Sequence, residues 1–247
     1  MNMSINVSPD AKKLGEAAAN LISSLIIKAI EKKGSARIIL STGASQFETI
    51  DALIKYDLPW KKVEMFHLDE YVALPENHKA SFRKYLKERF AAKVPLLAAH
   101  FVNGEGNVEA NITELAKELR KAPVDVGVIG IGENAHIAFN DPPADFTTDA
   151  AYKIVTLDAK CKQQQVGEGW FSSVDEVPKQ AITMCVQQIL SCEHIVSSVP
   201  HAVKAEAIFN TLTKPVDPNY PATILKTHPS WHLFIDTLSA GKIFQAE

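Results

Sequence analysis

Val124-Asp-Val-Gly-Val-Ile-Gly-Ile131, running straight into Gly132-Glu-Asn-Ala-His136, decides how the chain is read. A short, nearly continuous apolar run is what a strand needs when both its faces are covered, as in a parallel sheet flanked by helices. Its glycine-rich exit leads into a polar, histidine-bearing segment at the strand's carboxyl end, where open α/β sheets bind ligands. Upstream, Ala36 to Leu40 (ARIIL) ends in Ser41-Thr42-Gly43-Ala44-Ser45, and Phe47 to Tyr56 takes up helical spacing, making a strand–loop–helix unit. A second unit runs from Val63-Glu-Met-Phe-His-Leu68 through Asp69-Glu70-Tyr71 to a helix over Ser81 to Ala91.

Further out, Ser8 to Lys33 predicts a capped amphipathic helix, with Ser8 or Asp10 as cap, Leu14, Ala17, Ala18, Leu21, Leu25 and Ala29 as apolar face, and Gly34 as stop. Helices near 108–120, 177–190 and 201–212 and strands near 152–156, 194–198 and 232–236 continue the alternation. The order predicts a doubly wound, mainly parallel α/β sheet of Rossmann-like type with helices on both faces, in a single domain over 1–247. The loops at 41–46, 69–78, 132–143 and 197–204 are then expected to meet in one crevice.

Composition narrows the class. The 247 residues are 46% hydrophobic, enough for one large core. With 26 basic against 29 acidic residues and no basic run, there is no nucleic-acid footprint. Cys161, Cys185 and Cys192 are odd in number and lack metal-site spacing, which suits reduced thiols and a cytoplasmic setting. The first residues lack a signal-peptide core and no apolar stretch is long enough for a bilayer, so no membrane partner is expected.

Three segments could carry chemistry. Ser41 to Ser45 offers small residues, hydroxyls and backbone N–H groups at a helix entrance, which suits an anionic phosphate, although a plain strand-to-helix turn favours the same residues. Asp69 and Glu70 are adjacent on an extended chain and therefore point to opposite faces, one toward the cleft and the other into the structure. Two solvated charges opening a loop would look the same in sequence. His67-x-Asp69 without further ligands is poor support for a metal, and His67 is read as structural. His136 and Asp141 flank Ile-Ala-Phe and could act as a proton-transferring pair, against the alternative of a packed core histidine.

His67-Leu68-Asp69-Glu70-Tyr71 with Leu74-Pro75 and Ser81-Phe82, then Gly132-x-x-x-His136-Ile-Ala-Phe-Asn140-Asp141-Pro142, then Pro221-Ala-Thr-Ile-Leu-Lys-Thr-His228-Pro with Asp236, stand in order along the chain. Together, over residues 36 to 240, they resemble the glucosamine-6-phosphate deaminase/isomerase family, which is related to the 6-phosphogluconolactonases. The resemblance implies ring opening, aldose–ketose isomerisation through an enolamine, and loss of ammonia to leave fructose 6-phosphate. It makes Asp69 the base that moves the C2 proton to C1 and His136 the group that opens the ring at O5. Asp141, where the family has Glu, becomes the partner of His136, and Asn134 holds a position that is Asp or Asn in the family. Ser41, Thr42, Gly43, Ala44 and Ser45 are implied as phosphate contacts, with Glu70 and Gln165 in secondary or lid positions; Lys204, near the position of the family's phosphate lysine, is taken as a further phosphate contact. The resemblance implies no metal and no organic cofactor, a small-molecule sugar phosphate as partner, and leaves a homo-oligomer open.

Several residues depart from the family pattern. The loop Ser41-Thr-Gly-Ala-Ser-Gln46 lacks a second Gly and the Thr-Pro pair, Gln165 stands where a lid arginine is expected, Ala202 where a phosphate lysine is expected, and Ala135 where a Gly precedes the histidine. Lys204, Lys160, Lys162 or His201 are the residues available to replace the lost charge. Two other readings remain open: a 6-phosphogluconolactonase using His136 as general base toward water, or another sugar-phosphate isomerase or hydrolase, and a non-catalytic sugar-phosphate binder. Asp-Glu-Tyr and His-Ile-Ala-Phe favour the deaminase over the lactonase, whose segments usually run Asp-Glu-Arg and His-Thr-Ala-Ser.

Overall fold

A computed structural model describes residues 3–243; the expected unit over 1–247 extends past them at both ends. The elements are, in order, β1 (Ser4–Ser8), α1 (Ala11–Lys33), β2 (Ala36–Leu40), α2 (Phe47–Leu53), β3 (Val63–His67), β4 (Asp69–Tyr71), α3 (Phe82–Leu86), β5 (Ala98–His100), α4 (Val108–Leu119), β6 (Val126–Val128), β7 (Tyr152–Thr156), α5 (Ala159–Gly167), β8 (Gln180–Met184), α6 (Val186–Leu190), β9 (His194–Val199), α7 (Ala205–Thr213) and β10 (Trp231–Asp236). Seven strands form one sheet in the order β1-β10-β9-β6-β2-β3-β5. Every pairing in it is parallel.

The sheet is buried on both faces, as the apolar runs demand. On one side Ile38 and Leu40 of β2 pack with Leu14, Ile22 and Ile26 of α1 and with Met65, Val126 and Val196. On the other, Ile39 joins Phe66, Ile129, Ile195, Leu233 and Ile235. Successive β2 residues thus feed opposite cores, the two-residue period of a strand. Asp10 caps α1, accepting from Lys13 N at 2.8 Å, and Gly34 closes it at φ 84 with its N–H on Ile30 O. No helix among the described residues is long and apolar enough to cross a membrane.

Four expectations need correction. Ser8 does not cap α1; it ends β1, an edge strand that pairs with β10. Its five residues alternate weakly and are held by a partner more than two hundred positions away, a contact no local pattern reveals. Residues 180–184, expected within a helix over 177–190, are a strand, and only Val186–Leu190 is helical. Gln-Ala-Ile-Thr-Met merges with the following apolar helix into one hydrophobic stretch, which periodicity alone cannot divide. The strand at 152–156 lies outside the main sheet, in a three-stranded sheet of order β4-β8-β7 with antiparallel pairings. Asp69 and Glu70 therefore do not open a loop: with Tyr71 they form β4, an edge of that small sheet.

His67, the last residue of β3, is fully buried, and neither ring nitrogen has a hydrogen-bond partner among the described residues. Burial, with the Arg83 guanidinium nearby, pulls its pKa down to about 3, so the ring packs as a neutral side chain.

Candidate active site

The loops after the carboxyl ends of β2, β6 and β9 meet β4 and α5 around a cavity of about 410 Å³. The loop between β3 and α3 contributes little beyond Asp69, because the chain turns away with β4.

Asp69 lines the cavity at 6% exposure, while Glu70 is fully buried on the opposite side of the strand. Glu70 accepts hydrogen bonds from the backbone N–H groups of Tyr71 (2.9 Å), Phe82 (3.2 Å) and Arg83 (2.8 Å) and from the Ser81 hydroxyl (2.8 Å), with Arg83 Nε at 3.4 Å. It thereby holds the first turn of α3 beside β4. Burial raises the Glu70 pKa and these hydrogen bonds only partly counter it. Asp69 has no such set of donors: burial, then the charge of Glu70, pushes its pKa well above the ordinary carboxylate range.

His136 lines the cavity from the loop after β6. Its Nδ1 lies 3.1 Å from Asp141 Oδ1, and its backbone N–H donates to Asn134 Oδ1 at 3.1 Å. Asn134 in turn donates to Asp141 at 3.3 Å. Neither Asn134 nor Asp141 lines the cavity; both orient the imidazole from behind. Burial raises the Asp141 pKa, but the nearby His136, Asn134 and Cys161 side chains outweigh it and leave the carboxyl below its ordinary value. Ala135 has φ 66, which accounts for the glycine expected there.

Gly132 fixes the other face of the ring. A Cβ built on Gly132 would lie 2.2 Å from both Cε1 and Nε2 of His136. Gly132→Ala is expected to push the imidazole out of register and to lower turnover by about 10²-fold, the effect of a misplacement on the order of 1 Å. Steady-state kinetics, with the Tm showing a folded protein, would check this; unchanged kcat would mean that the ring position is not critical.

Ser41 to Ser45 line the opposite wall. Gly43 takes φ 102, Ser41 Oγ accepts from Gly130 N at 3.1 Å, and Gln46 ties Ser45 to the Ser198 carbonyl. Lys204 reaches the same cavity, 6% exposed, and its ammonium has neither a hydrogen bond nor an ion pair among the described residues. Burial lowers its pKa, opposed by the charges of Glu168 and Glu133. His201 also lines the cavity, whereas Lys160, Lys162 and Ala202 do not. Gln165 is buried on α5 and accepts from the Tyr71 hydroxyl at 2.7 Å, so a neutral group stands where an arginine was expected. Among the described residues no three His, Cys, Asp or Glu side chains gather as a metal-holding group.

Sequence reasoning missed Glu133 and Glu168, which line the cavity. Glu168 is held by Gln164 Nε2 at 2.7 Å and Trp170 Nε1 at 3.0 Å. The signal was the register of α5: Cys161 and Gln165, four residues apart, are its buried positions, which puts Gln164 and Glu168 on the flank beside them, with Lys160 on the same row one turn before the cavity lining.

A parallel α/β sheet with an oriented imidazole, a buried carboxyl and a lysine unpaired among the described residues around one cavity defines the class as an α/β protein with a small-molecule site at the strands' carboxyl ends. The chain belongs to the family of glucosamine-6-phosphate isomerases and 6-phosphogluconolactonases, whose model matches residues 9–233. It is 30% identical over 243 residues to a glucosamine-6-phosphate deaminase of Lactobacillus delbrueckii subsp. bulgaricus, covering 97% of this chain and 99% of that protein. With the deaminase of Streptococcus pneumoniae serotype 4 it shares 32% over 212 residues, covering 85% and 89%. Among solved structures, a monomeric glucosamine-6-phosphate deaminase superposes with a TM-score of 0.88 at 27% identity, covering 97% and 99%. A 6-phosphogluconolactonase from Shewanella baltica, at 18% identity, TM-score 0.78 and coverage of 95% and 98%, shares the fold.

Proposed function

We propose that the protein converts glucosamine 6-phosphate and water into fructose 6-phosphate and ammonia. The observation that carries this reading is the meeting, in one cavity, of a carboxyl of raised pKa, an imidazole backed by a carboxylate, and a buried lysine without a partner among the described residues. The phosphate is held by the Ser41–Ser45 loop and Lys204. His136, oriented by Asp141, opens the pyranose ring by moving a proton at O5. Asp69 then carries the C2 proton to C1 through the enolamine. Water adds at C2 of the resulting iminium and ammonia leaves. The raised pKa makes Asp69 a stronger base than an exposed carboxylate, and the arriving substrate ammonium favours its ionised form.

Purified protein given glucosamine 6-phosphate should release ammonia and fructose 6-phosphate in equal amounts, and His136→Ala should lower the rate by about 10²–10⁴-fold. Hydrolysis of 6-phosphogluconolactone with no ammonia release would overturn the reading in favour of a lactonase. Binding of sugar phosphates with no turnover would make the protein a binder.

A further inference from the structure

His201 holds a backbone conformation that its side chain does not favour. Its φ of 81 and ψ of 146 lie beyond the left-handed helical well, at the edge of a region that is essentially glycine's alone. Two bonds impose it. The His201 N–H donates to Asp236 Oδ2 at 3.0 Å, and its carbonyl accepts from Lys204 N at 3.0 Å. Asp236 is itself 1% exposed and anchored by Ser239 N at 2.7 Å. Strain of this kind persists where the surroundings over-determine it, and it concentrates at ligand clamps.

The cavity shows what such a clamp would hold. Lys204 is its only lysine or arginine among the described residues, and it stands there with Asp69, Glu133 and Glu168. A phosphate dianion needs more donors than one ammonium and a hydroxyl-bearing loop to compete with those carboxylates. His136 is engaged with Asp141, and the lysines at 160 and 162 lie elsewhere. The His201 imidazole makes no hydrogen bond among the described residues, at the turn that delivers Lys204. We infer that His201 is a second phosphate-contacting residue, donating from its ring beside Lys204, and that the strained backbone is what places it there. This deepens the sugar-phosphate reading of the cavity and rests on it.

His201→Gly separates the two consequences, because glycine relieves the strain while deleting the ring. Binding of inorganic phosphate and of fructose 6-phosphate is measured by calorimetry, and the Tm is measured without ligand. The variant should melt at the same temperature or roughly 2–4 °C higher. It should bind both anions about tenfold more weakly, with KM for glucosamine 6-phosphate rising similarly and kcat changing less. Unchanged affinity for both anions overturns the inference, as does a Tm lowered by several degrees, which would make His201 a structural residue. Failure of the proposed reaction reads differently: wild-type protein would bind phosphate in a His201-dependent way yet release no ammonia. Ammonia release with an unchanged KM in His201→Gly would leave the reaction standing and remove His201 from it. A wild-type protein that binds neither anion overturns the inference.

Discussion

Asp69→Asn is expected to lower kcat for ammonia release from glucosamine 6-phosphate by about a thousandfold, within the range general acid–base groups contribute, with KM changed by only a few-fold. The side chain lines the cavity and has no ordered set of donors to lose, in contrast to its neighbour Glu70. Burial and the Glu70 charge already push it toward its protonated form, so the amide replaces a group of nearly the same shape and charge at little cost to folding. The rate loss should therefore come without a matching fall in Tm. On the proposed mechanism ring opening is assigned to His136, so in this variant open-chain sugar phosphate should still form while the C2 proton stays in place. Solvent-deuterium exchange at C2, followed by NMR, reads that step alone. Turnover within a few-fold of wild type would remove Asp69 from the reaction.

The second large effect is on stability and lies one residue away. Glu70→Ala should destabilise the protein by about 3–5 kcal/mol, the cost of removing one partner of a buried ion pair. That corresponds to a fall in Tm of roughly 10 °C for a chain of this size. The loss has two parts. Ser81, Phe82 and Arg83 at the start of α3 lose the acceptor that holds them, and Arg83, 6% exposed at its side chain, keeps Glu105 at 2.7 Å and Asn103 at 2.7 Å but loses its innermost carboxylate. Glu70→Gln should be milder, since an amide oxygen can still accept from part of the set. Thermal and urea unfolding would check both; a loss under about 1 kcal/mol in the alanine variant would mean that α3 is held by its apolar contacts alone.

Much of this was legible beforehand, for physical reasons. The strands at 36–40, 63–67, 194–199 and 231–236 are buried on both faces, so their composition is nearly uniform and their ends are marked by abrupt polar turns. The opposed placement of Asp69 and Glu70 followed from the pleat of an extended chain. The small sheet was not legible, because β4, β7 and β8 come from three distant segments and β8 is masked by the helix that follows it. The negative side of the cavity was missed because Glu133 and Glu168 sit in polar stretches where a charge normally signifies solvent. The missing arginine and the altered loop were visible, but that Lys204, and neither Lys160 nor Lys162, reaches the cavity depended on the turn before α7, which spacing alone could not decide.

The small sheet also acts as a ruler. Thr183 of β8 stands opposite Asp69 in the strand register, and its hydroxyl accepts from Phe139 N at 3.0 Å, while Asn140 binds the Met184 carbonyl at 2.8 Å. One strand thus fastens both the Asp69 edge and the His136 segment, and the gap between them travels as a unit. The loop at 41–45 and Lys204 hang instead from the ends of β2 and β9 in the larger sheet. On the proposed reading, the distance from the anchored phosphorus to the reacting carbons is graduated by the spacing of two independently built sheets. The length of sugar accepted would then be recalibrated by residues that pack one sheet on the other, leaving every group that touches substrate untouched.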